Sequence, residues 1–169
     1  MPFFKTTSRS VDGGVVPGTY LQAFIKNGDH FFVTEIEIYR DGKIECWGLV
    51  DFEEFKRKVA EGWVRTRLPT GARVSMMVSM LAFTVTEVAG GVDEIEFVKE
   101  VADEIERLNG RPTSIDLCRE GLLGHRRAPT TESLRTLREA YERVPAHARC
   151  YLGDMDTKDW DYRTLLGLS

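Results

Sequence analysis

Cysteine is scarce in this sequence, whose 169 residues contain only Cys46, Cys118 and Cys150. The number is odd and the three lie far apart, which excludes the disulfide framework typical of small secreted domains. The pattern predicts reduced thiols in a cytoplasmic protein.

Long hydrophobic runs and an excess of basic charge are also missing. The most apolar stretch, residues 74–88, is interrupted by serine and threonine, so it cannot span a bilayer as a helix. Residues 1–10 lack the apolar run of a secretion signal. The formal net charge of −4 argues against a nucleic-acid binder, because phosphate binding needs a basic surface. We therefore expect neither a membrane nor a nucleic acid as a partner.

Familiar catalytic signatures are absent as well. The sequence contains no Gly-rich phosphate loop, no serine nucleophile elbow and no His-Glu zinc motif. Its composition, 42% apolar and 30% charged, is that of an ordinary globular protein long enough to bury a core.

The N-terminal half carries the pattern of β-strands. Residues 1–18, rich in glycine and proline, are predicted to form a flexible arm. Three β-prone runs follow, at residues 20–26, 31–39 and 43–50, separated by Asn27-Gly28 and Asp41-Gly42. Both dipeptides favour type I′ turns, so the pattern predicts an antiparallel meander. In residues 73–88 a shift in apolar alternation indicates a bulge or two shorter strands.

Helices are predicted at about residues 51–61, 92–108, 114–123 and 131–144. Asp51 with Glu54, and Asp93 with Glu96, have the spacing of capping boxes. Ile95 is expected on the buried face of the second helix. Strands followed by helices predict an α+β fold, an antiparallel sheet with helices packed on one face. We expect a single domain over residues 19–169, with a candidate internal boundary near residues 90–91.

Four phrases resemble a family of small uncharacterised bacterial domains: residues 20–28 (YLQAFIKNG), 46–55 (CWGLVDFEEF), 100–105 (EVADEI) and 152–156 (LGDMD). The resemblance spans residues 19–163, and the family that it indicates has no established activity. Similar segments lie beside domains that process ADP-ribose or related nucleotides, which implies a nucleotide-linked accessory role by association. The family's ending is similar to Lys-Asp-x-Pro, and here Asp161 stands at the proline position.

Aspartates are concentrated near the end of the chain, where Asp154, Asp156, Asp159 and Asp161 accompany Trp160. We predict that Asp156 caps a final helix and that Asp159 lies at the third position after it, where acidic groups suit the positive end of the helix dipole. The alternatives are a metal or phosphate–metal site, or an acidic surface that faces a partner.

A calcium loop is the obvious metal site to compare. Asp154-x-Asp156 resembles its start, but Lys158 occupies the fifth position and Leu165 the twelfth, where the loop needs oxygen ligands.

Two thiols and two imidazoles, Cys118, His125, His147 and Cys150, have the donor set of a tetrahedral zinc site. Their spacing matches no finger pattern, and cysteines are often simply buried. No local signature supports a Cys–His nucleophile pair. We expect no metal and no cofactor.

Arginines and aromatics each allow two interpretations. Nine arginines lie in a region without lysine: Arg107, Arg111, Arg119, Arg126, Arg127, Arg135, Arg138, Arg143 and Arg149. They could bind a nucleotide phosphate, but neutralisation by the acidic helix before them is favoured. The strand aromatics are Phe31, Phe32, Tyr39, Trp47 and Trp63. They could stack on bases, although a place in the core is favoured.

Two functions of different classes follow. The first is a non-catalytic binding or accessory module with a protein partner, in a toxin-neutralising or regulatory role. Its surface would comprise Asp154, Asp156, Asp159, Trp160, Arg126 and Arg127. The second is an enzyme, or its recognition domain, that takes a nucleotide or ADP-ribose-like molecule, with the aspartates for acid–base or metal chemistry and the arginines for phosphate. We favour the first, because no set of residues completes a catalytic site.

We predict that the purified protein contains neither zinc nor a disulfide. Metal quantitation by plasma mass spectrometry, on protein prepared without chelator, checks this. One equivalent of zinc that disappears in Cys118→Ser would show that the thiols are ligands.

Overall fold

The computed structural model describes residues 6–76 and 81–168, and its contacts divide the chain into two compact units, Met1–Asn109 and Gly110–Ser169. The first, the sheet unit, contains β1 (Thr7–Val11), β2 (Gly14–Asn27), β3 (His30–Tyr39), β4 (Ile44–Glu45), β5 (Leu49–Val50), α1 (Phe52–Ala60), β6 (Val64–Arg65), β7 (Arg73–Met76), β8 (Leu81–Thr84) and α2 (Glu94–Leu108). The second, the helical unit, contains α3 (Ser114–Arg127), α4 (Thr131–Arg143), a 3₁₀-helix (Ala146–Tyr151) and α5 (Trp160–Leu166). The predicted α+β class is confirmed.

A long hairpin of β2 and β3 is the centre of the sheet unit. The strands pair antiparallel from Gly18 opposite Tyr39 to Asn27 opposite His30, so the loop is Gly28-Asp29. Only Gly28 of the two has positive φ, at 63°. The predicted hairpin is correct, but its turn lies one residue later than expected and has the φ pattern of type II′.

The third β-prone run forms a second, smaller hairpin. Gly42, at φ 80°, closes a three-residue loop after β3, since its N–H donates to the Tyr39 carbonyl at 2.9 Å. β4 pairs with β3 and then with β5, where Ile44 lies opposite Val50. The chain reverses through Trp47 at φ 61° and Gly48 at φ 145°.

Residues 7–18, expected as part of a flexible arm, are strands in the structure. β1 pairs antiparallel with β2, and Asp12-Gly13 is the two-residue loop between Val11 and Gly14. Both loop residues have positive φ, 48° and 80°, as a type I′ turn requires. Asp-Gly is therefore a hairpin signal here. Residues 1–5 of the expected arm lie outside the described part of the chain.

The stretch after Gly71 forms two short strands, one of the two predicted alternatives, and residues 77–80 lie outside the described ones. β7 and β8 pair antiparallel. β7 also pairs with β3, in parallel, with His30 opposite Arg73. The outer edge of β3 pairs with β4 near one end and with β7 near the other. The outer edge of β2 pairs in the same way with β1 and β6.

Helices α1 and α2 cover one face of this sheet. Buried Ala23, Ile25, Ile36 and Ile38 of the hairpin join one core cluster with Phe55 of α1, and that cluster also includes Val59, Phe97 and Val101 of the helices. The opposite face carries a smaller cluster of Phe31, Leu68, Ala72 and Val74. The alternation of the strands thus divides the apolar residues between two cores.

The predicted helix starts are correct for α1 and α2, but their capping boxes are incomplete. Asp51 accepts from the Glu54 N–H at 2.9 Å, while the Glu54 carboxylate binds Arg57 instead of reaching back. In α2, Asp93 caps through the Ile95 N–H at 2.9 Å. The expectation that Ile95 is buried is wrong, since its side chain is 71% exposed. The side chains of α2 that are buried against the sheet are those of Phe97 and Val101, which lie on a neighbouring face of the helix.

The helical unit has its own core of Cys118, Leu122, Leu137, Tyr141, Val144, Leu152, Tyr162 and Leu166. Thr113 and Thr130 begin α3 and α4 through complete capping boxes with Asp116 and Ser133. α3 continues to Arg127, four residues beyond its predicted end. Gly121 leaves room for Leu137, whose Cδ1 would be 3.6 Å from a Cβ at that position. Within the described residues, no helix is long and apolar enough to cross a membrane.

The strand aromatics differ in exposure. Phe31 and Tyr39 are buried, as favoured, and Phe32 and Trp63 are half-buried. Trp47 is 48% exposed, and its ring centroid lies 5.1 Å from that of Phe32. The predicted core position is therefore wrong for Trp47, because the chain reversal between β4 and β5 turns its side chain toward solvent.

Gly18 is the position where the sheet leaves least room for a side chain. A Cβ there would lie 2.7 Å from the Ile38 carbonyl oxygen and 2.8 Å from Cδ1 of Tyr39. We expect Gly18→Ala to lower the free energy of unfolding by about 1–3 kcal/mol, because backbone must move. Urea denaturation measures this. Gly14→Ala, in the same strand and 3.4 Å from the Val11 carbonyl oxygen, is the matched control and should cost clearly less.

Candidate functional site

The aspartate-rich segment connects the 3₁₀-helix to α5, and we call residues 153–159 the acidic turn. Asp154 organises it. One carboxylate oxygen accepts from the Thr157 hydroxyl and the Thr157 N–H, both at 2.7 Å, and from the Asp156 N–H at 3.1 Å. The Asp154 carbonyl also accepts from the Lys158 N–H at 2.9 Å. These bonds, the Thr157 hydroxyl first, hold the pKa of Asp154 below its ordinary value.

The prediction that Asp156 caps the last helix is wrong. α5 begins at Trp160, and the cap bonds of the preceding turn go to Asp154, two residues earlier than predicted. The Asp156 side chain is exposed and has no bonding partner within the described residues. Asp154 accepts the cap bonds because Thr157, three residues later, donates both its N–H and its hydroxyl to the same carboxylate oxygen.

Backbone geometry closes the acidic turn tightly. A Cβ on Gly153 would lie 2.0 Å from the Lys158 carbonyl oxygen, so only glycine fits there. Lys158 itself has φ 50°, an uncommon conformation for a residue with a side chain. The turn is therefore held in one shape by its own bonds.

Two further aspartates attach the segment to the helices of its unit. Asp159 accepts from the Tyr141 hydroxyl of α4 at 2.7 Å. Burial, and then the Asp159 carboxylate, raise the pKa of Tyr141. Asp161 binds Arg126 of α3 with 2.6 Å between Oδ2 and Nη2. Arg127 is exposed and has no partner within the described residues.

Between these attachments the segment presents large apolar side chains to solvent. Met155 is 92% exposed and Trp160 is 64% exposed, and Tyr151 at the end of the 3₁₀-helix is 66% exposed. Sequence reasoning included Trp160 but missed Met155 and Tyr151, because exposure follows from the shape of the turn. Thr157 was also missed, although the Asp-x-x-Thr spacing is a detectable capping signal.

Three arginines of the helical unit bind backbone carbonyls at helix ends. Arg119 donates to the carbonyls of Tyr151 and Leu152 at the end of the 3₁₀-helix. Arg149 donates to Val144 at the end of α4 at 3.2 Å, and Arg138 to Leu166 at the end of α5 at 2.6 Å. These guanidiniums satisfy carbonyls that a helix end leaves without partners. Arg135 binds Glu132 and Glu139 of its own helix.

The cysteines and histidines serve separate local contacts. Cys118 is buried, and burial raises its pKa to about 11, so the thiol is protonated at neutral pH and is a poor nucleophile. Cys150 is exposed and donates to the His147 carbonyl at 3.3 Å. His125 Nδ1 lies 2.7 Å from the Ser133 hydroxyl. Across residues 6–76 and 81–168, no three His, Cys, Asp or Glu side chains gather as a metal site would need.

Comparison with protein families agrees with the two units. The chain belongs to the family described as "Domain of unknown function (DUF7638)", whose model matches residues 6–112. The model "Domain of unknown function (DUF7639)" matches residues 113–168. The models meet near the division at residues 109 and 110, whereas the single domain over residues 19–169 stays a prediction. The resemblance to an uncharacterised domain family is thereby confirmed. No curated protein and no solved structure matches the chain.

The roles of Asp154 and Asp156 can be separated by substitution. We expect Asp154→Ala to lower Tm by about 3 °C, because the amides and hydroxyl of the turn lose their acceptor. Asp156→Ala should leave Tm unchanged, and Asp154→Asn, which still offers an acceptor oxygen, should lie close to wild type. Differential scanning calorimetry measures all three.

The dependence of Tm on pH provides a second test of the Asp154→Ala variant. The folded-state pKa of Asp154 lies below its unfolded value, so its stabilisation is present above the unfolded pKa and is lost as pH falls through the folded pKa. The Tm gap between wild type and Asp154→Ala should therefore shrink on acidification. A rise in Tm for Asp154→Asn, together with loss of a calcium- or magnesium-dependent shift, would contradict the capping role.

Proposed function

We propose that this chain is a protein-binding module whose acidic turn, with Met155 and Trp160, contacts a basic segment of another protein. Such a module would act in a toxin-neutralising or regulatory role, without catalysis. The cysteine pattern favours a cytoplasmic location, and the family resemblance implies a bacterial protein.

The observation that carries this proposal is the exposure of Met155, 92%, at a turn fixed by Asp154. A flexible loop would lose conformational freedom on binding, whereas a turn already closed by its own hydrogen bonds loses little. Exposed methionine and tryptophan are characteristic of interface centres, where tryptophan often supplies much of the binding energy.

Charge argues for a basic partner. The Asp156 carboxylate is exposed next to Met155 and has no bonding partner among the described residues. Arg126 is engaged by Asp161 and serves as a positioning residue for α5. Arg127 at the end of α3 remains available for an acidic group at the edge of the contact. Complementary charges of this kind mainly set specificity and association rate.

The competing proposal, an enzyme or recognition domain for a nucleotide or ADP-ribose-like ligand, needs arginines free to bind phosphate. Five arginines of the helical unit are already engaged, since Arg119, Arg138 and Arg149 donate to backbone carbonyls and Arg126 and Arg135 bind carboxylates. A phosphate would depend on those that remain, such as Arg127. Cavities of about 430, 280 and 220 Å³ are all lined by residues of the sheet unit, and neither the aspartates of the turn nor these arginines contribute to them. The binding module is therefore the better-supported proposal.

A panel of synthetic peptides tests the proposal. Peptides of equal length that combine leucine with lysine or arginine should bind the immobilised chain, and their glutamate counterparts should not. We expect Trp160→Ala and Asp156→Asn each to weaken binding by about tenfold, with binding decreasing as salt rises. Biolayer interferometry gives the affinities.

Glu120→Gln is the matched control, because Glu120 is another exposed carboxylate of the helical unit with no partner among the described residues. It should bind as wild type does. Equal binding of basic and acidic peptides, or full binding by Trp160→Ala, would contradict the proposal. An increase in Tm with ADP-ribose that Arg126→Gln abolishes would support the nucleotide alternative instead.

A further inference from the structure

A cavity of about 430 Å³ lies between α1 and the start of α2 in the sheet unit. Its volume is within the roughly 300–1,000 Å³ usual for small-molecule sites. Val59, Ala60 and Val98 provide apolar walls, and Ile95, which is 71% exposed, lines the cavity as well. An apolar side chain so exposed on the first turn of a helix is available to an apolar ligand.

Arg65 supplies a positioned cation at this cavity. Its Nε donates to the Gly62 carbonyl at 3.3 Å. A Cβ on Gly62 would lie only 2.7 Å from Nη2 of Arg65, so glycine lets the guanidinium lie flat against the chain. Within the described residues no carboxylate pairs with Arg65, so its remaining N–H groups are free for a carboxylate ligand.

Glu94 supplies an anion at the same cavity. It is the first residue of α2, and its carboxylate forms no ion pair or hydrogen bond within the described residues. Lys56, also at the wall, is already engaged, since its ammonium lies 2.7 Å from Glu53 and 5.4 Å from the centroid of the Phe52 ring. The charges left for a ligand are therefore one guanidinium and one carboxylate.

We propose that this cavity binds a free aliphatic α-amino acid such as leucine. Its carboxylate binds the Arg65 guanidinium, its ammonium binds Glu94, and its side chain packs on Val59, Ala60 and Val98. An aliphatic amino acid joins an anion, a cation and an apolar group at one carbon, so it matches all three features. The site lies in the sheet unit, whereas the acidic turn lies in the helical unit.

Calorimetric titration and thermal shift of the full chain with L-leucine test this. At about ten times its Kd, leucine should raise Tm by about 3–6 °C. Three analogues each remove one feature: 4-methylpentanoate lacks the ammonium, 3-methylbutylamine lacks the carboxylate, and glycine lacks the side chain. Each should bind at least tenfold more weakly than leucine.

Variants assign the contacts. Arg65→Gln and Glu94→Gln should each weaken leucine binding by at least tenfold. The controls Arg40→Gln, an exposed arginine of the same unit, and Glu120→Gln should leave it unchanged. Ala60→Phe keeps both charges and fills the cavity, so it should abolish binding even if Arg65→Gln proves unstable. No Tm shift with leucine, a shift retained in Ala60→Phe, or equal binding of 4-methylpentanoate would overturn the proposal.

Discussion

The pairing of β2 with β3 is the constraint on which the rest of the sheet unit depends. The loop between them has only two residues, so it permits one register. A slip by one residue would turn Ala23, Ile25, Ile36 and Ile38 away from the helices and expose the apolar surface that α1 and α2 need. Both outer edges of the hairpin are then used twice, by β1 and β6 along β2 and by β4 and β7 along β3. Each short strand is too short to be stable alone and relies on this ladder.

Local signals predicted the β2–β3 hairpin and the starts of helices α1 to α4, whereas the strands in residues 7–18 were missed and long-range choices could not be predicted. Asp51 and Thr113 begin helices as their capping chemistry requires. The parallel pairing of β7 with β3 has no local signal, because it depends on which strand edge is left open. The orientation of α2 is similar. Its apolar residues surround more than one face, so only the sheet decides that Phe97 is buried and Ile95 exposed.

In the candidate site, the sequence identified the segment but not the roles within it. Asp154, Asp156 and Asp159 lie within six residues, and any of them could accept hydrogen bonds from backbone N–H groups of the turn. Asp154 is the one that does so, because the Thr157 hydroxyl also donates to its carboxylate. For the arginines, the sequence shows the charge of the side chains but not their hydrogen-bond partners. Counted as charges they suggest a phosphate pocket or neutralisation, whereas Arg119 and Arg138 donate hydrogen bonds to helix ends about 30 residues away in sequence. The planar fork of arginine can reach two carbonyls at once, as Arg119 does.

The shortage of lysine in the helical unit has a practical consequence. Between residues 110 and 169 there is one, Lys158, and it lies inside the acidic turn with φ 50°. An amine-reactive ester therefore attaches to this unit at a single side chain. A fluorophore or photo-crosslinker introduced there reports on the surface beside Met155 without any change to the sequence. Labels elsewhere on the chain fall on the sheet unit or the N-terminus, and peptide mapping distinguishes them from the one at Lys158.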